Sequence, residues 1–155
     1  MDITVELEEY ILNIRAAVVI IHNDKILVHR NINSNHYALV GGRVELGEDS
    51  IETVKREIKE EMGKEIEIIG YISTVENFFT MNGKKYHEIE FVHLAEFKEE
   101  KDKLIQNTIK NIEGKDYLQY EWIERNQIDQ VPLMPVKMQS VLKNGKYPLH
   151  IINKD

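Results

Sequence analysis

The alternation of apolar and polar residues predicts a β-rich chain. Residues 3–7 alternate between the two types, which indicates a short N-terminal strand. Residues 14–21 are mostly apolar and β-branched, and residues 25–30 follow the same pattern after Asn23-Asp24. The spacing predicts a hairpin that enters a buried sheet.

Two longer β-rich runs follow in the second half of the chain. Residues 66–79 and 85–97 flank Asn82-Gly83, and Asn-Gly is a strong signal for a tight hairpin turn. Residues 117–123 predict one more strand.

Two segments have helical periodicity. Residues 49–62 begin at Asp49, with Glu52 three positions later as in a capping box, and Gly63 is a natural C-terminal stop. The predicted apolar stripe of this helix is Ile51, Val54, Ile58 and Met62. A second helix is predicted over residues 135–143, beginning at a proline and ending near a glycine.

The order strands, helix, strands, helix predicts an α/β (α+β) fold, a mixed β-sheet covered by helices. No repeat or flexible linker interrupts the chain, so we expect a single domain over residues 1–155. The absence of cysteine excludes disulfides, thiolate metal sites and a cysteine nucleophile. The N-terminus lacks a signal-peptide pattern and the longest strongly apolar run is residues 16–21, so we expect a cytoplasmic protein without a membrane partner.

The charge is concentrated in one segment. The chain has 20 basic and 27 acidic residues, a formal net charge of −7. This balance argues against a nucleic-acid partner, because binding to phosphates requires a basic surface. Residues 45–67 alone hold nine acidic and four basic side chains, which accounts for most of the net charge.

Three carboxylates of that segment share one face of the first predicted helix. Glu57, Glu60 and Glu61 stand at positions i, i+3 and i+4, roughly opposite the apolar stripe. An acidic helix face is often no more than a solvated surface. Three converging carboxylates also suit Mg²⁺ or Mn²⁺, which prefer oxygen ligands.

The residues before and within the helix favour the metal site over the solvated surface. Gly42 is followed after five residues by Glu48, and after seven more by the run Arg56-Glu57-Ile58-Lys59-Glu60-Glu61-Met62-Gly63. This pattern resembles the Nudix box, the signature of the Nudix hydrolases, and the flanking strands and chain length fit that family's α/β/α sandwich. Val40 stands where the family often has proline, and Lys64 where an apolar residue is usual. Neither departure removes a charged group.

The resemblance implies a metal-dependent hydrolase that cleaves the pyrophosphate linkage of a nucleoside diphosphate joined to another group. Water would attack phosphorus, with Mg²⁺ or Mn²⁺ as cofactor. By motif position, Glu57, Glu60, Glu61 and the carbonyl of Gly42 correspond to metal ligands, and Glu48 supports them. Arg56 would orient the carboxylates through charge-assisted hydrogen bonds.

The general base is not fixed by the motif, because the family uses either a box glutamate or a carboxylate elsewhere. Among acids outside the box we favour Glu88, which shares a strand face with Glu90. Glu76, Glu113 and Asp116 are further candidates for the base.

Candidate substrate contacts lie outside the helix. Arg43 directly follows the paired glycines and Arg30 ends the second predicted strand, so both are candidates for binding phosphate. Tyr37, Phe78 and Phe79 could stack on a nucleobase, and we select Tyr37 and Phe78.

Three functions stay open at this point. The first is the metal-dependent hydrolase with a nucleotide-type substrate. The second is a non-catalytic Nudix-fold module that binds or senses nucleotides, although such modules usually lose box glutamates. The third is a charged helix with no site. No subfamily motif after the box identifies the substrate, and a homodimer is left open.

Overall fold

The computed structural model describes residues 1–103 and 109–155. The α-helices are α1 (Ser50–Met62) and α2 (Lys137–Asn144). The strands are β1 (Thr4–Leu7), β2 (Tyr10–His22), β3 (Lys25–Asn31), β4 (Tyr37–Arg43), β5 (Ile66–Met81), β6 (Lys84–Phe97), β7 (Leu118–Glu124), β8 (Leu133–Met134) and β9 (His150–Lys154). Short 3₁₀ turns cover Glu100–Lys103 and Arg125–Gln130.

The strands form one mixed sheet in the order β7-β3-β4-β2-β6-β5-β9, with β1 paired to β2 and β8 to β4. The pairings β2–β6, β5–β9 and β4–β8 are parallel, and the others are antiparallel. Strand β2 lies between β4 and β6 at the centre, so its side chains are central to both faces of the sheet. The predicted mixed sheet is confirmed.

Both predicted hairpin turns are present. Asn23 and Asp24 have φ values of 49° and 60°, and Asn82 and Gly83 have values of 52° and 77°. A two-residue turn of this kind requires positive φ at both positions, which asparagine, aspartate and glycine adopt at low cost. These local signals set the β2–β3 and β5–β6 connections.

Helix α1 begins and ends where the sequence predicts. The Asp49 side chain accepts a hydrogen bond from the Glu52 backbone, and the Glu52 side chain accepts one from the Asp49 backbone. At the other end Gly63 has φ of 68°, the left-handed conformation that closes the last turn. Ile51 of the predicted apolar stripe is 38% exposed, whereas the stripe's other three members are buried.

Each helix covers one face of the sheet. Val54 and Ile58 of α1 pack with Val18 of β2, whereas Met138 of α2 packs with Val19 of the same strand on the opposite face. Because successive strand residues point to opposite faces, the uninterrupted apolar run of β2 supplies both cores. This is the expected α/β/α layering.

Three strands were not predicted, namely β4, β8 and β9, and neither were the two 3₁₀ turns. Helix α2 begins at Lys137 rather than at Pro135. Trp122 lies on β7, which is followed in the chain by β8 and β9. No helix in the described ranges is long and apolar enough to cross a membrane.

Candidate active site

Arg56 joins the loop before α1 to the acidic face of that helix. Its Nε and Nη2 atoms donate to the two carboxylate oxygens of Glu48 at 2.6 and 3.0 Å. Its Nη1 atom donates to Glu57 at 2.9 Å and to Glu60 at 3.2 Å, and Nη2 also donates to the Arg43 carbonyl at 3.2 Å. The predicted orienting contacts of Arg56 are therefore present.

The hydrogen bond from Arg56 lowers the pKa of Glu48 to about 2, even though burial opposes this shift. The hydroxyl of Thr53 donates to the same carboxylate at 2.8 Å, and the Glu45 backbone N–H donates at 3.4 Å. Glu48 is consequently an ionised anchor that fixes the loop against the helix, which fits the supporting role predicted for it.

Gly42 lies directly against Glu57. A Cβ atom on Gly42 would overlap the Cδ and Oε1 atoms of the Glu57 carboxylate. Glycine is therefore required here for close approach of the carboxylate to the β4 backbone. The two residues lie 15 positions apart in the chain, and the family resemblance assigns both of them to the metal site.

Glu61 is the most deeply buried carboxylate of α1, at 4% exposure. Burial raises its pKa to about 7, and the nearby charge of Glu57 acts in the same direction. Burial likewise raises the pKa of Glu57, against the effect of Arg56. The hydroxyl of Tyr120 on β7 donates to Glu61 at 3.4 Å.

Residues 111–113 lie against the C-terminal end of α1. The Ile112 backbone N–H donates to the Glu61 carbonyl at 2.8 Å, and Asn111 donates to the Tyr120 hydroxyl at 3.0 Å. The charge of Glu113 contributes to the raised pKa of both Glu57 and Glu61. The candidate base Glu113 is thus next in the chain to a residue that contacts the end of α1.

The carboxylates of α1 are chemically suited to bind a hard cation. One of them, that of Glu57, occupies the space beside Gly42. Across residues 1–103 and 109–155, no three histidine or acidic side chains converge in a ligating arrangement. In this arrangement Nη1 of Arg56 is a hydrogen-bond donor to both Glu57 and Glu60. The metal-ligand assignments remain predictions.

A cavity of about 470 Å³ opens on the face of the sheet that α2 covers. The cavity is lined by polar residues of four neighbouring strands, β4, β2, β6 and β5, and by aromatic residues near the β5–β6 turn. They include Asn13, Arg15, Gly42, Arg43, Asn77, Phe79, Tyr86, Glu88 and Glu90. Gly42 therefore borders both this cavity and the Glu57 carboxylate.

Glu88 belongs to the cavity floor rather than to the helix. It is 6% exposed and accepts hydrogen bonds from the amides of Asn13 at 3.0 Å and Asn77 at 3.3 Å. The side chains of its strand neighbours, His87 and Ile89, point to the opposite face of the sheet, which α1 covers. Glu76, another candidate base, pairs at 2.6 Å with His150 of β9, the strand at the edge of the sheet.

The two predicted phosphate-binding arginines are in different situations. Arg43 lines the cavity, and its side chain has no hydrogen bond or ion pair with the residues described. Arg30 donates to Gln119 at 3.2 Å, lies 3.7 Å from Glu121, and packs over the Tyr37 ring. The Tyr37 hydroxyl donates to Glu121 at 3.0 Å, so this pair forms its own cluster.

Phe78 does not line the cavity, so its selection as a base-stacking residue stays a prediction that this cavity does not support. It packs on His87 on the other face of the sheet, whereas Phe79 stacks on Tyr86 with ring centroids 4.7 Å apart. Phe79 and Tyr86 are both cavity residues. Side chains alternate between the two faces along a strand, and Phe79 is two residues from the cavity residue Asn77. Phe79 therefore faces the cavity, whereas Phe78 faces the other side.

Sequence reasoning missed several cavity residues, among them Asn13, Arg15 and Asn77. The available signal was the polar pair at positions 13 and 15, which precedes the apolar run of β2. That pair shares one strand face, as do Glu88 and Glu90 on the neighbouring strand.

Comparisons with known proteins agree with this geometry. The family model described as NUDIX domain matches residues 12–144. No curated protein matches the chain. Among solved structures, a MutT NUDIX hydrolase from Burkholderia pseudomallei has 22% identity and a TM-score of 0.63, over 86% of this chain and 96% of that one.

Two further structures have the same fold. A UDP-X diphosphatase has 18% identity and a TM-score of 0.60, over 90% of this chain and 66% of that one. An ADP-ribose pyrophosphatase from Streptococcus suis has 14% identity and a TM-score of 0.59, over 91% and 98%. At these identities the structures establish the fold, while the family model covers most of the sequence. The chain therefore belongs to the Nudix hydrolase family.

Proposed function

We propose that residues 1–155 form a single-domain, Mg²⁺- or Mn²⁺-dependent pyrophosphohydrolase that acts on a nucleoside diphosphate linked to another group. One observation carries the proposal. Gly42 touches the Glu57 carboxylate on one side and borders the cavity on the other. A substrate in the cavity can therefore extend its phosphates past Gly42 toward the carboxylates of α1.

The proposed metal-binding residues are Glu57, Glu60 and Glu61, with the Gly42 carbonyl as a further ligand. When bound, Mg²⁺ or Mn²⁺ supplies a Lewis acid that neutralises the phosphates and activates water at neutral pH. The raised pKa values of Glu57 and Glu61 fit this assignment, because buried carboxylates gain most from a nearby cation.

Glu48 and Arg56 position these ligands. Their two-point contact holds the loop to the helix, while Nη1 of Arg56 orients Glu57. Geometry of this kind limits the movement of the carboxylates, and ligand orientation by such neighbours affects both metal affinity and rate.

We place the proton acceptor at the helix end rather than in the cavity. Glu113 directly follows Ile112, whose backbone N–H donates to the Glu61 carbonyl at 2.8 Å. Glu88, favoured from the sequence, is held by two amides in the cavity, so we assign it to substrate binding. Glu113→Gln should lower kcat and alter its pH profile, whereas Glu88→Gln should mainly raise KM.

The cavity is proposed to hold the nucleoside and Arg43 a phosphate. The stacked Phe79–Tyr86 pair offers an aromatic wall for a base, and Arg43 offers a guanidinium group without a partner among the described residues. Two proteins of similar structure are named UDP-X diphosphatase and ADP-ribose pyrophosphatase, and these names describe enzymes for linkages of the proposed class. They support the reaction class rather than a particular substrate.

The test is a hydrolysis screen over nucleotide sugars, dinucleotides and nucleoside triphosphates, each with Mg²⁺, with Mn²⁺ and with EDTA. We expect product from at least one compound in metal and none in EDTA. Tight nucleotide binding without product under any metal would favour the non-catalytic binding module. Absence of both binding and product would overturn the proposal.

A further inference from the structure

Two buried acceptor atoms in the cavity have no partner. The Oδ1 atom of Asn13 and the Oε1 atom of Glu90 lack hydrogen bonds to any residue described. Their residues are 2% and 4% exposed, and both line the cavity. A buried acceptor without a partner is costly, so these two atoms point to a ligand that donates.

The surrounding contacts fix which atoms are left over. Glu88 accepts from the Asn13 amide nitrogen, which turns Asn13 Oδ1 away from it. Asn77 also donates to Glu88, but its own oxygen accepts from Asn153 at 3.0 Å. Asn13 is therefore the amide with a free acceptor.

Glu90 is fixed in a similar way. Arg15 donates to its Oε2 atom at 3.1 Å and, through the other guanidinium nitrogen, to the Leu39 carbonyl at 3.0 Å. The register pairs Arg15 with Glu90 and Asn13 with Glu88. The free oxygens of Asn13 and Glu90 thus belong to neighbouring positions on one face of the sheet.

We propose that Asn13 and Glu90 select a nucleobase with an exocyclic amino group over the same base with a carbonyl or hydrogen at that position. An amino group carries two N–H donors, one for each free oxygen. A carbonyl oxygen at that position would face the two free acceptors of Asn13 and Glu90, and none of the three oxygens would have a donor. This inference rests on the proposed function and specifies the substrate class of the same cavity.

Matched nucleotide pairs test it. GDP and IDP differ only by an amino group against a hydrogen. CDP and UDP, like ADP and IDP, differ by an amino group against a carbonyl and by an N–H on the adjacent ring nitrogen. Binding is measured calorimetrically at pH 8 in EDTA, and relative kcat/KM is measured with Mn²⁺ on the corresponding nucleotide sugars or triphosphates. Burial raises the pKa of Glu90, the charge of Arg15 opposes this rise, and the charge of Glu88 adds to it. The alkaline pH therefore keeps Glu90 ionised, so that both of its oxygens can accept hydrogen bonds.

We expect the amino member of the best-bound pair to be favoured at least about tenfold, in Kd or in kcat/KM. Glu90→Gln keeps an oxygen for Arg15 and turns an N–H group to the cavity, so it should reduce or reverse that preference. Glu65→Gln changes an exposed acid 3.9 Å from Lys59 that does not line the cavity, so it is the matched control and should leave the preference unchanged.

Equal use of both members of every pair, or a preference for UDP or IDP, would overturn the inference while leaving the hydrolase proposal intact. An unchanged preference in Glu90→Gln would overturn the role of Glu90. A chain that neither binds nor hydrolyses any nucleotide would overturn the hydrolase proposal itself, and the inference with it.

Discussion

The Glu57 carboxylate occupies the space that a side chain on Gly42 would fill. We predict that Gly42→Ala retains the fold but loses most of the hydrolytic activity, by at least about tenfold, because the new methyl group displaces a flexible carboxylate rather than backbone. Hydrolysis and thermal unfolding are measured on the same preparation.

Two other glycines provide controls for this variant. Gly41→Ala would overlap the Ala16 carbonyl and the Ala17 backbone, so it should unfold the protein or prevent its expression. Gly70→Ala would meet only Leu94 side-chain atoms at 3.6 Å and should retain activity. A fully active Gly42→Ala protein would contradict the importance of this contact.

The Glu48–Arg56 pair predicts a measurable loss of stability in Glu48→Gln. The variant keeps the shape but loses a two-point charged contact at 2.6 and 3.0 Å. We expect about 1–2 kcal/mol less free energy of unfolding, measured with denaturant. Glu65→Gln breaks only an exposed pair, 3.9 Å from Lys59, and should cost less than about 0.5 kcal/mol. Equal losses in the two variants would argue against Glu48 as an anchor.

Substitutions of Arg43 and Arg30 should have different effects on KM. Arg43→Ala removes a guanidinium group from the cavity lining and should raise KM about tenfold, with a smaller effect on kcat. Arg30→Ala removes a residue already bound to Gln119 and close to Glu121, so KM should change little. The opposite ranking would place the phosphate near Arg30.

His29 predicts part of the pH dependence of stability. Its burial, with help from Arg15 and Lys115, lowers its pKa from 6.5 to about 3. Because a lowered histidine pKa favours the neutral form in the folded state, stability is complete above about pH 6.5 and is lost as the pH falls toward 3.

The variant His29→Gln cannot take up that proton. Between pH 7.5 and pH 5, the wild type should lose about 1–2 kcal/mol more unfolding free energy than the variant. The raised pKa values of Glu61 and Glu90 act in the opposite direction, but they are common to both proteins and cancel in the difference. Parallel stability curves would contradict the burial of a neutral His29.

Local signals made much of the fold predictable. Asp49 and Gly63 define α1 through contacts within a few residues, and Asn82-Gly83 defines a turn in the same way. Strand β4 was not predicted because Gly41 and Gly42 weaken its pattern. Strand β9 is short, and its position follows only from distant pairing with β5.

The residues of the site likewise fall into two groups, those placed by local sequence patterns and those placed by distant strand pairing. Positions within the box depend on helical spacing, and Arg56 contacts Glu57 and Glu60 as that spacing predicts. The cavity depends on the register of β2 against β6, which brings Asn13 beside Glu88 across 75 residues of sequence. No local pattern encodes that register, so Glu88 was assigned to chemistry and Asn13 was overlooked.

The most direct test of the central claim compares Glu61→Gln with the wild type. The substrate is the one that the screen finds best, in saturating Mn²⁺, with Glu67→Gln as a control for an exposed acid nearby. We predict at least about a 100-fold lower kcat/KM for Glu61→Gln. In metal-free buffer at pH 8 its melting temperature should be no lower than that of the wild type, because a neutral side chain replaces a buried carboxylate. Full activity in Glu61→Gln would contradict the assignment of the α1 carboxylates as the metal-dependent catalytic site.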